Sequence, residues 1–161
     1  MTLDGLFSLQ GKTVLLQSPE HRYGREIARG LCAAGARLFL CGEQPALDQT
    51  RAALGTQAGR LADAFAYTPG SEEDADALQR WVEQRIGAPD AFVHISPDGR
   101  LAGWTHSFEQ IDEVMRKTQL GLMLTLQRVG ALMARRGAGS VLFVTDYAAL
   151  VGEDPWNFAD A

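Results

Sequence analysis

Short apolar runs alternate with stretches of helical periodicity along the chain. The runs predict strands buried on both faces, at 13–17, 37–41, 64–67, 90–95 and 140–145. Apolar residues spaced three or four positions apart predict helices at 23–34, 46–58, 71–86 and 107–136. Because parallel strands need a crossover helix between them, this alternation predicts an α/β fold. We expect one parallel sheet of about five strands as the middle of three layers, with helices on both faces.

Two serines mark the starts of predicted helices. In a capping box, a serine at the helix start is followed three positions later by an acidic or amide side chain. Ser71 with Asp74, and Ser107 with Gln110, have this spacing. Residues 146–161 follow the last predicted strand and show no helical or alternating pattern, so we expect an irregular C-terminal tail there.

The composition is that of an ordinary soluble globular protein, with 46% apolar and 22% charged residues. The length of 161 residues predicts a single domain, 1–161, with a core that needs no disulfide. Fifteen Lys and Arg residues against twenty Asp and Glu residues give a net charge of −5, which argues against nucleic-acid binding. Cys32 and Cys41 are not in a C-x-x-C motif, and we expect two buried thiols in a reducing compartment.

The sequence predicts neither a membrane segment nor an export signal. The longest apolar stretch, 120–134, is interrupted by Gln127 and Arg128 and is too short to span a bilayer. The first residues do not form the basic and apolar regions of a secretory signal peptide. We therefore expect no contact with a membrane and a cytoplasmic location.

Five segments, in this order along the chain, carry a resemblance to one known family: Phe7–Leu16, Cys41–Glu43, Ile86–Val93, Gln119–Gln127 and Arg136–Thr145. They resemble the opening strand, the second strand end, the lead into the fourth strand, the long interface helix and the fifth strand of the short-chain dehydrogenase/reductase family. The resemblance implies a Rossmann-like fold. It also implies the family's usual activity, which is NAD(P)-dependent oxidation or reduction of alcohols and carbonyls.

The first turn of such a fold binds the pyrophosphate, because its glycines let the backbone approach the ligand at a helix N-terminus. The family pattern is Thr-Gly-x-x-x-Gly-x-Gly, and this chain reads Gln-Ser-Pro-Glu-His-Arg-Tyr-Gly at 17–24. Ser18 and Arg22 replace two glycines, whereas Gly24, which lets helix and strand pack closely, is kept. Pro19 also removes an N–H donor. We expect loss of dinucleotide binding, with Arg22 or His21 left open as a phosphate contact.

Three further cofactor positions differ from the family pattern. Glu43 occupies a position where NADP-preferring members often carry arginine, and a carboxylate there would repel a 2′-phosphate. Thr68 stands where the family commonly has an aspartate bonded to the adenine, and His94 begins the segment that reads Asn-Asn-Ala-Gly in the family. We therefore expect that no cofactor binds, and NAD(P) is the expected cofactor if the site functions.

The catalytic positions that the resemblance implies are also replaced. The family uses a tyrosine as general acid, a lysine that lowers its pKa, a serine that orients the carbonyl and an asparagine that anchors a water. Here Phe158 stands for the tyrosine, Asp146 for the serine and Thr118 for the asparagine, and the lysine position falls beyond Ala161. An ionised carboxylate donates no hydrogen bond and phenylalanine has no hydroxyl, so we expect no catalytic residue at these positions.

His94, Asp98 and His106 lie near the end of the fourth predicted strand and could form a metal or hydrolytic site as an alternative. Folds of the α/β class bind ligands at that end of the sheet. These three residues are scattered over a loop and do not have the spacing of a metal-binding motif. The interpretation as ordinary polar loop residues is favoured, and we expect no metal site.

The long predicted helix carries the most apolar surface. One stripe at helical spacing consists of Met115, Leu122, Leu126, Val129 and Met133. Other apolar residues lie off this stripe, so the helix needs cover on more than one side. In the resembling family the equivalent helix pairs with that of a second subunit, and we therefore expect a partner surface here.

These observations lead to the hypothesis of a non-catalytic subunit. It would associate through the long helix with an active, full-length dehydrogenase of the same family, or with itself. Three alternatives stay open: a divergent oxidoreductase that still binds NAD(P), a module that binds a small ligand or acyl-CoA in the substrate crevice, and a relic without function. Tight cofactor binding, a heat of binding with acyl-CoA and poor folding would respectively distinguish them.

Overall fold

In the computed structural model the described residues are 7–19, 23–96 and 106–145. The strands among them are β1 Thr13–Gln17, β2 Arg37–Gly42, β3 Leu61–Ala66, β4 Ala91–Ile95 and β5 Ser140–Val144. The α-helices are α1 Gly24–Ala33, α2 Gln44–Leu54, α3 Glu72–Arg85, α4 Phe108–Met115 and α5 Gly121–Arg136. A 3₁₀ turn, Gly55–Arg60, follows α2, and a π-helical turn, Arg116–Leu120, joins α4 to α5.

The five described strands form one parallel sheet in the order β3-β2-β1-β4-β5. Val14 of β1 lies between Leu38 of β2 and Ala91 of β4. The chain therefore extends the sheet from β1 in one direction as far as β3 and then crosses over to form β4. The predicted Rossmann-like α/β fold is confirmed. Sheets of this order bind ligands where the direction reverses, at the carboxyl ends of β1 and β4.

Apolar side chains fill the space on both faces of the sheet, which explains why the strands are continuously apolar. One core includes Val14, Leu40, Ala28 of α1 and Leu47 of α2. The other core includes Leu15, Phe92, Leu78 of α3 and Val129 of α5. Successive strand residues point to opposite faces, so the sheet separates the two cores. Packing on both faces holds the strands, and therefore their ends, in place.

The largest differences from the expected elements are three. β3 begins at Leu61, three residues before the predicted start. α2 ends before Gly55, whose φ of +51° breaks the helix, and the 3₁₀ turn follows. The helix expected over 107–136 is interrupted by the π turn at 116–120. A π turn adds one residue to the helical repeat, so it rotates the faces after it by about 100° relative to those before it.

Both predicted capping serines begin helices. The Ser71 hydroxyl accepts the Asp74 N–H at 3.2 Å. The Ser107 hydroxyl accepts the Gln110 N–H at 3.3 Å, and the Gln110 side-chain oxygen accepts the Ser107 N–H at 3.0 Å. The helix starts predicted from these two serines are confirmed.

No helix within the described ranges is both long and apolar enough to cross a membrane. Cys32 and Cys41 are both buried and are not joined by a disulfide. The tail expected at 146–161 lies outside the described residues.

Candidate functional site

The candidate site is the crevice at the carboxyl ends of the central strands. β1 ends at Gln17 and leads into the turn before α1, and β4 carries His94 near its end. The loop 67–70 after β3 packs on the start of α5, because a Cβ added at Gly121 would lie 2.6 Å from the Pro69 Cβ. Four elements that are distant in the sequence therefore contribute to this edge.

Ser18 adopts a backbone conformation that favours glycine. Its φ is +56°, in the left-handed region that costs other residues about 1–2 kcal/mol. The side chain is fully buried, and its hydroxyl has no hydrogen-bond partner among the described residues. The Ser18 N–H donates to the Cys41 carbonyl at 3.0 Å. This N–H is therefore bonded to β2 and does not face a ligand.

Gly24 lies where α1 approaches the β1–α1 turn most closely. A Cβ added there would be 2.4 Å from the Pro19 carbonyl oxygen and 2.7 Å from its carbonyl carbon. Both are backbone atoms, so no rotation of a side chain relieves the contact. This is the close packing of helix and strand expected of Gly24. His21 and Arg22 lie outside the described residues.

Four buried polar side chains form a hydrogen-bond network at the base of the crevice. His94 Nδ1 lies 2.9 Å from Gln17 Oε1, and Gln17 Nε2 donates to Thr125 Oγ1 at 3.3 Å and to the Tyr67 hydroxyl. The Tyr67 and Thr125 hydroxyls are 3.1 Å apart. Burial lowers the pKa of His94 from 6.5 to about 4, so the imidazole is neutral at pH 7. The described hydrogen bond of the His94 ring is thus made to Gln17, within the chain itself.

Glu43 is held at the end of β2 by an ion pair with the π turn. Lys117 Nζ lies 3.5 Å from the Glu43 carboxylate and 3.2 Å from the Glu113 carboxylate. The hydrogen bond to Glu113 and the charge of Glu43 raise the pKa of Lys117. The pair places a carboxylate at the position where the family resemblance puts the 2′-phosphate of NADP.

The two threonines expected at family positions lie in different surroundings. Thr118 is buried on the π turn, and its hydroxyl donates to the Val114 carbonyl at 2.8 Å. That single donor is therefore used within the helix. Thr68 is exposed, on the loop whose Pro69 packs against Gly121.

Asp146 and Phe158, the expected counterparts of the catalytic serine and tyrosine, lie outside the described residues, as does Asp98. His106 is half-buried, and its Nε2 has no hydrogen-bond partner in the described part of the chain. In that same part, no group of three or more histidine, cysteine or carboxylate side chains is close enough to hold a metal ion.

The five residues expected at a partner surface do not share one face. Val129 and Met133 are buried in the core on the α3 side of the sheet, and Leu126 packs against the same core. Leu122 is half-buried, whereas Met115 is 43% exposed. The reason is the π turn between Met115 and the other four, since it rotates the face that continuous helical spacing would have kept in line.

A different set of apolar side chains is exposed on α4, the π turn and the start of α5. This set, called the helix stripe below, consists of Phe108, Ile111, Met115, Leu120 and Met123. A groove of about 380 Å³ runs along it, lined by Asp112, Met115, Arg116, Gln119, Leu120 and Met123. Asp112 and Arg116 form an ion pair at 3.0 Å, which gives the groove a charged rim.

A parallel sheet of this order, with a crevice at its reversal, is the architecture of dinucleotide-binding enzymes. The profile of the family described as short chain dehydrogenase matches residues 13–157. The chain therefore belongs to the short-chain dehydrogenase family.

Two relatives show the extent of the match. An uncharacterized oxidoreductase of Mycobacterium tuberculosis is 33% identical over 143 residues, which cover 86% of this chain and 52% of that protein. The 5-keto-D-gluconate 5-reductase of Escherichia coli is 27% identical over 157 residues, which cover 94% of this chain and 60% of that protein. The chain thus spans between 52% and 60% of the length of these curated relatives.

Solved structures share the fold. L-sorbose reductase from Gluconobacter frateurii, in complex with NADPH and L-sorbose, has a TM-score of 0.78 at 18% identity over 95% of this chain and 59% of its own. RhlG from Pseudomonas aeruginosa, in complex with NADP, has a TM-score of 0.78 at 23% identity over 96% of this chain and 62% of its own. At these identities the likeness establishes the fold alone.

Gln17, Tyr67 and Thr125 are not recognisable from the sequence as members of one network. Gln17 offered a signal, because a polar residue at the end of a strand buried on both faces needs a buried hydrogen-bond partner. The partners themselves carried no signal, since they lie 50 to 108 residues away along the chain.

Proposed function

We propose that this chain is a non-catalytic subunit of the short-chain dehydrogenase type. It binds through its long helix to a second chain of the same fold, and that second chain performs the NAD(P)-dependent oxidation or reduction. The proposal assigns the cofactor and the reacting substrate to the partner. This chain contributes a folded surface that completes and stabilises the assembly.

The β1–α1 turn carries this proposal. A dinucleotide is held mainly by backbone N–H groups where the first helix begins. The Ser18 N–H is already bonded to the Cys41 carbonyl at 3.0 Å, and Pro19 has no N–H. These two described residues of the turn, Ser18 and Pro19, therefore offer no donor to a pyrophosphate, which supports the proposal.

Two other positions support the same conclusion. Glu43 presents a carboxylate, paired with Lys117 at 3.5 Å, and that charge opposes a 2′-phosphate. The Thr118 hydroxyl, which stands for the family's water-anchoring asparagine, donates to Val114 at 2.8 Å. A hydroxyl has one donor hydrogen, so Thr118 cannot also donate to a relay water.

The helix stripe supports the association. Phe108 is 77% exposed and Met123 is 53% exposed, and both lie on one continuous helical segment. Large exposed apolar patches with a polar rim are typical of partner surfaces. A second chain of the same family is the occupant we propose, because the family resemblance pairs this helix with its equivalent in another subunit.

Calorimetric titration with NADH and NADPH, each to about 1 mM, tests the non-catalytic part. We expect no saturable heat from the natural chain. The control is the double variant Ser18→Gly with Arg22→Gly, which restores two glycines of the turn and is expected to gain binding. Saturable binding to the natural chain with a Kd below about 100 µM, near −5.5 kcal/mol, would show that the site still holds a dinucleotide.

Affinity purification from the native lysate tests the association. We expect stoichiometric recovery of a homologue that carries both the glycine-rich turn and the Tyr-x-x-x-Lys motif. Met123→Lys places a charge in the helix stripe and should abolish recovery, whereas Gln127→Lys, at an exposed polar position of the same helix, should not. Equal recovery with Met123→Lys would show that another surface binds, and recovery of this chain alone would favour a homo-oligomer.

A further inference from the structure

The polar network at the base of the crevice joins β1 and β4, which pair in the sheet, to the loop after β3 and to α5. Gln17 ends β1, His94 lies on β4, Tyr67 follows β3, and Thr125 lies on α5. All four side chains are at most 6% exposed. The network therefore crosses the sheet at its reversal and continues into the helix layer.

The geometry determines which groups donate. The Gln17 amide nitrogen contacts both the Tyr67 and the Thr125 hydroxyls, so its two hydrogens are used there. The Gln17 carbonyl oxygen faces His94 Nδ1 at 2.9 Å and can only accept. His94 must therefore carry its hydrogen on Nδ1. This tautomer satisfies the whole amide group of Gln17.

The surroundings of the network are tightly packed. The His94 ring makes an edge contact with Phe143 of β5, with ring centroids 6.2 Å apart. The loop that carries Tyr67 is pressed against the long helix, since a Cβ added at Gly70 would lie 2.6 Å from the Arg116 carbonyl oxygen. The Tyr67 N–H also bonds to the Gly42 carbonyl at 3.0 Å. The loop 67–70 thus packs against the long helix and also contacts it through the Tyr67 and Thr125 hydroxyls.

We infer that the Gln17–His94–Tyr67–Thr125 network is a brace that holds the walls of the crevice in place without any bound ligand. Buried polar groups are costly unless all their partners are present, so removing one member leaves the others unsatisfied. The loop 67–70 contributes Tyr67 to the brace and meets the helix at Gly70, so we expect its position to depend on the brace. This inference concerns the chain alone and stands whether or not a dinucleotide binds.

Amide hydrogen exchange of the ligand-free, full chain tests the brace. Tyr67→Phe and Thr125→Val each remove one hydroxyl while keeping most of the side-chain volume. We expect exchange at the residue 67 amide to rise by about 5- to 100-fold in each variant, as the loss of a buried hydrogen-bond partner implies. Both variants keep the apolar cores and should remain folded, which circular dichroism checks.

Thr118→Val is the matched control. It removes another buried threonine hydroxyl from the same helical segment, but among the described residues that hydroxyl bonds only to the Val114 carbonyl. Exchange at residue 67 should change less than about twofold in this variant. An unchanged rate in either Tyr67→Phe or Thr125→Val, or an equal rise in Thr118→Val, would overturn the brace. Neither result depends on the titration that tests the proposed function.

Discussion

Replacing Ser18 with glycine is expected to stabilise the chain. Ser18 holds a φ of +56°, and its buried hydroxyl has no partner among the described residues. Relief of the left-handed backbone contributes about 1–2 kcal/mol. Removing a buried hydroxyl that makes no hydrogen bond contributes about 1–3 kcal/mol. The greater freedom of glycine in the unfolded chain opposes these gains by about 0.5–1 kcal/mol.

The net increase in the free energy of unfolding is expected to be about 1–4.5 kcal/mol, which for a chain of this size raises Tm by roughly 2–18 °C. Urea unfolding measures it as a higher midpoint with an unchanged m-value. Ser18→Ala is the control, because it removes the hydroxyl but keeps the Cβ and its backbone strain. It should fall between the natural chain and Ser18→Gly. A glycine variant no more stable than the alanine variant would refute the strain argument.

Three further predictions concern stability. Gly24→Ala should lower the free energy of unfolding by about 1–3 kcal/mol, since its Cβ overlaps the Pro19 backbone; an unchanged urea midpoint would contradict the overlap. Because the pKa of His94 is about 4 in the folded chain and 6.5 in the unfolded chain, the unfolded chain takes up a proton first as the pH falls. The free energy of unfolding should therefore fall by about 3 kcal/mol between pH 6.5 and 4. In pH-dependent urea titrations the variant His94→Asn should not show this loss. Asp90 accepts the Thr13 N–H and hydroxyl at 2.8 and 2.9 Å, and these bonds lower its pKa. Asp90→Asn should therefore cost about 1–3 kcal/mol at pH 7, and a midpoint equal to that of the natural chain would show that the pair is dispensable.

Most of the sheet was predictable because strands buried on both faces leave an uninterrupted apolar run. β3 shows where this signal fails. Asp63 interrupts its run, so the strand was expected to begin only at 64. In the structure Asp63 pairs with Arg85 of α3 at 3.3 Å, and a register shift between β2 and β3 accommodates the irregular start. Both compensations come from elements distant in the sequence, which a local pattern does not contain.

The helix stripe shows a second limit of periodic patterns. Met115 and Val129 are fourteen residues apart along the chain, and continuous helical spacing places them on nearly one face. The π turn at 116–120 separates them, so one is exposed and the other is in the core. A π turn has no side-chain signature comparable to a capping serine. It lies directly before Gly121, which packs tightly against Pro69, a tertiary contact that no local pattern contains.

The two ends of the β1–α1 turn distinguish what the fold requires from what a ligand requires. Gly24 is required by the fold itself, because a Cβ there would overlap the Pro19 backbone whatever is bound. At position 18 a side chain is tolerated at a cost of about 1–2 kcal/mol, within the few kcal/mol that a marginally stable domain can lose. A bound pyrophosphate would add a second requirement at position 18, because a residue without a side chain lets the backbone come close to the phosphates. This chain keeps the glycine demanded by packing and carries a side chain at position 18, and Ser18→Gly measures directly how much stability that side chain costs.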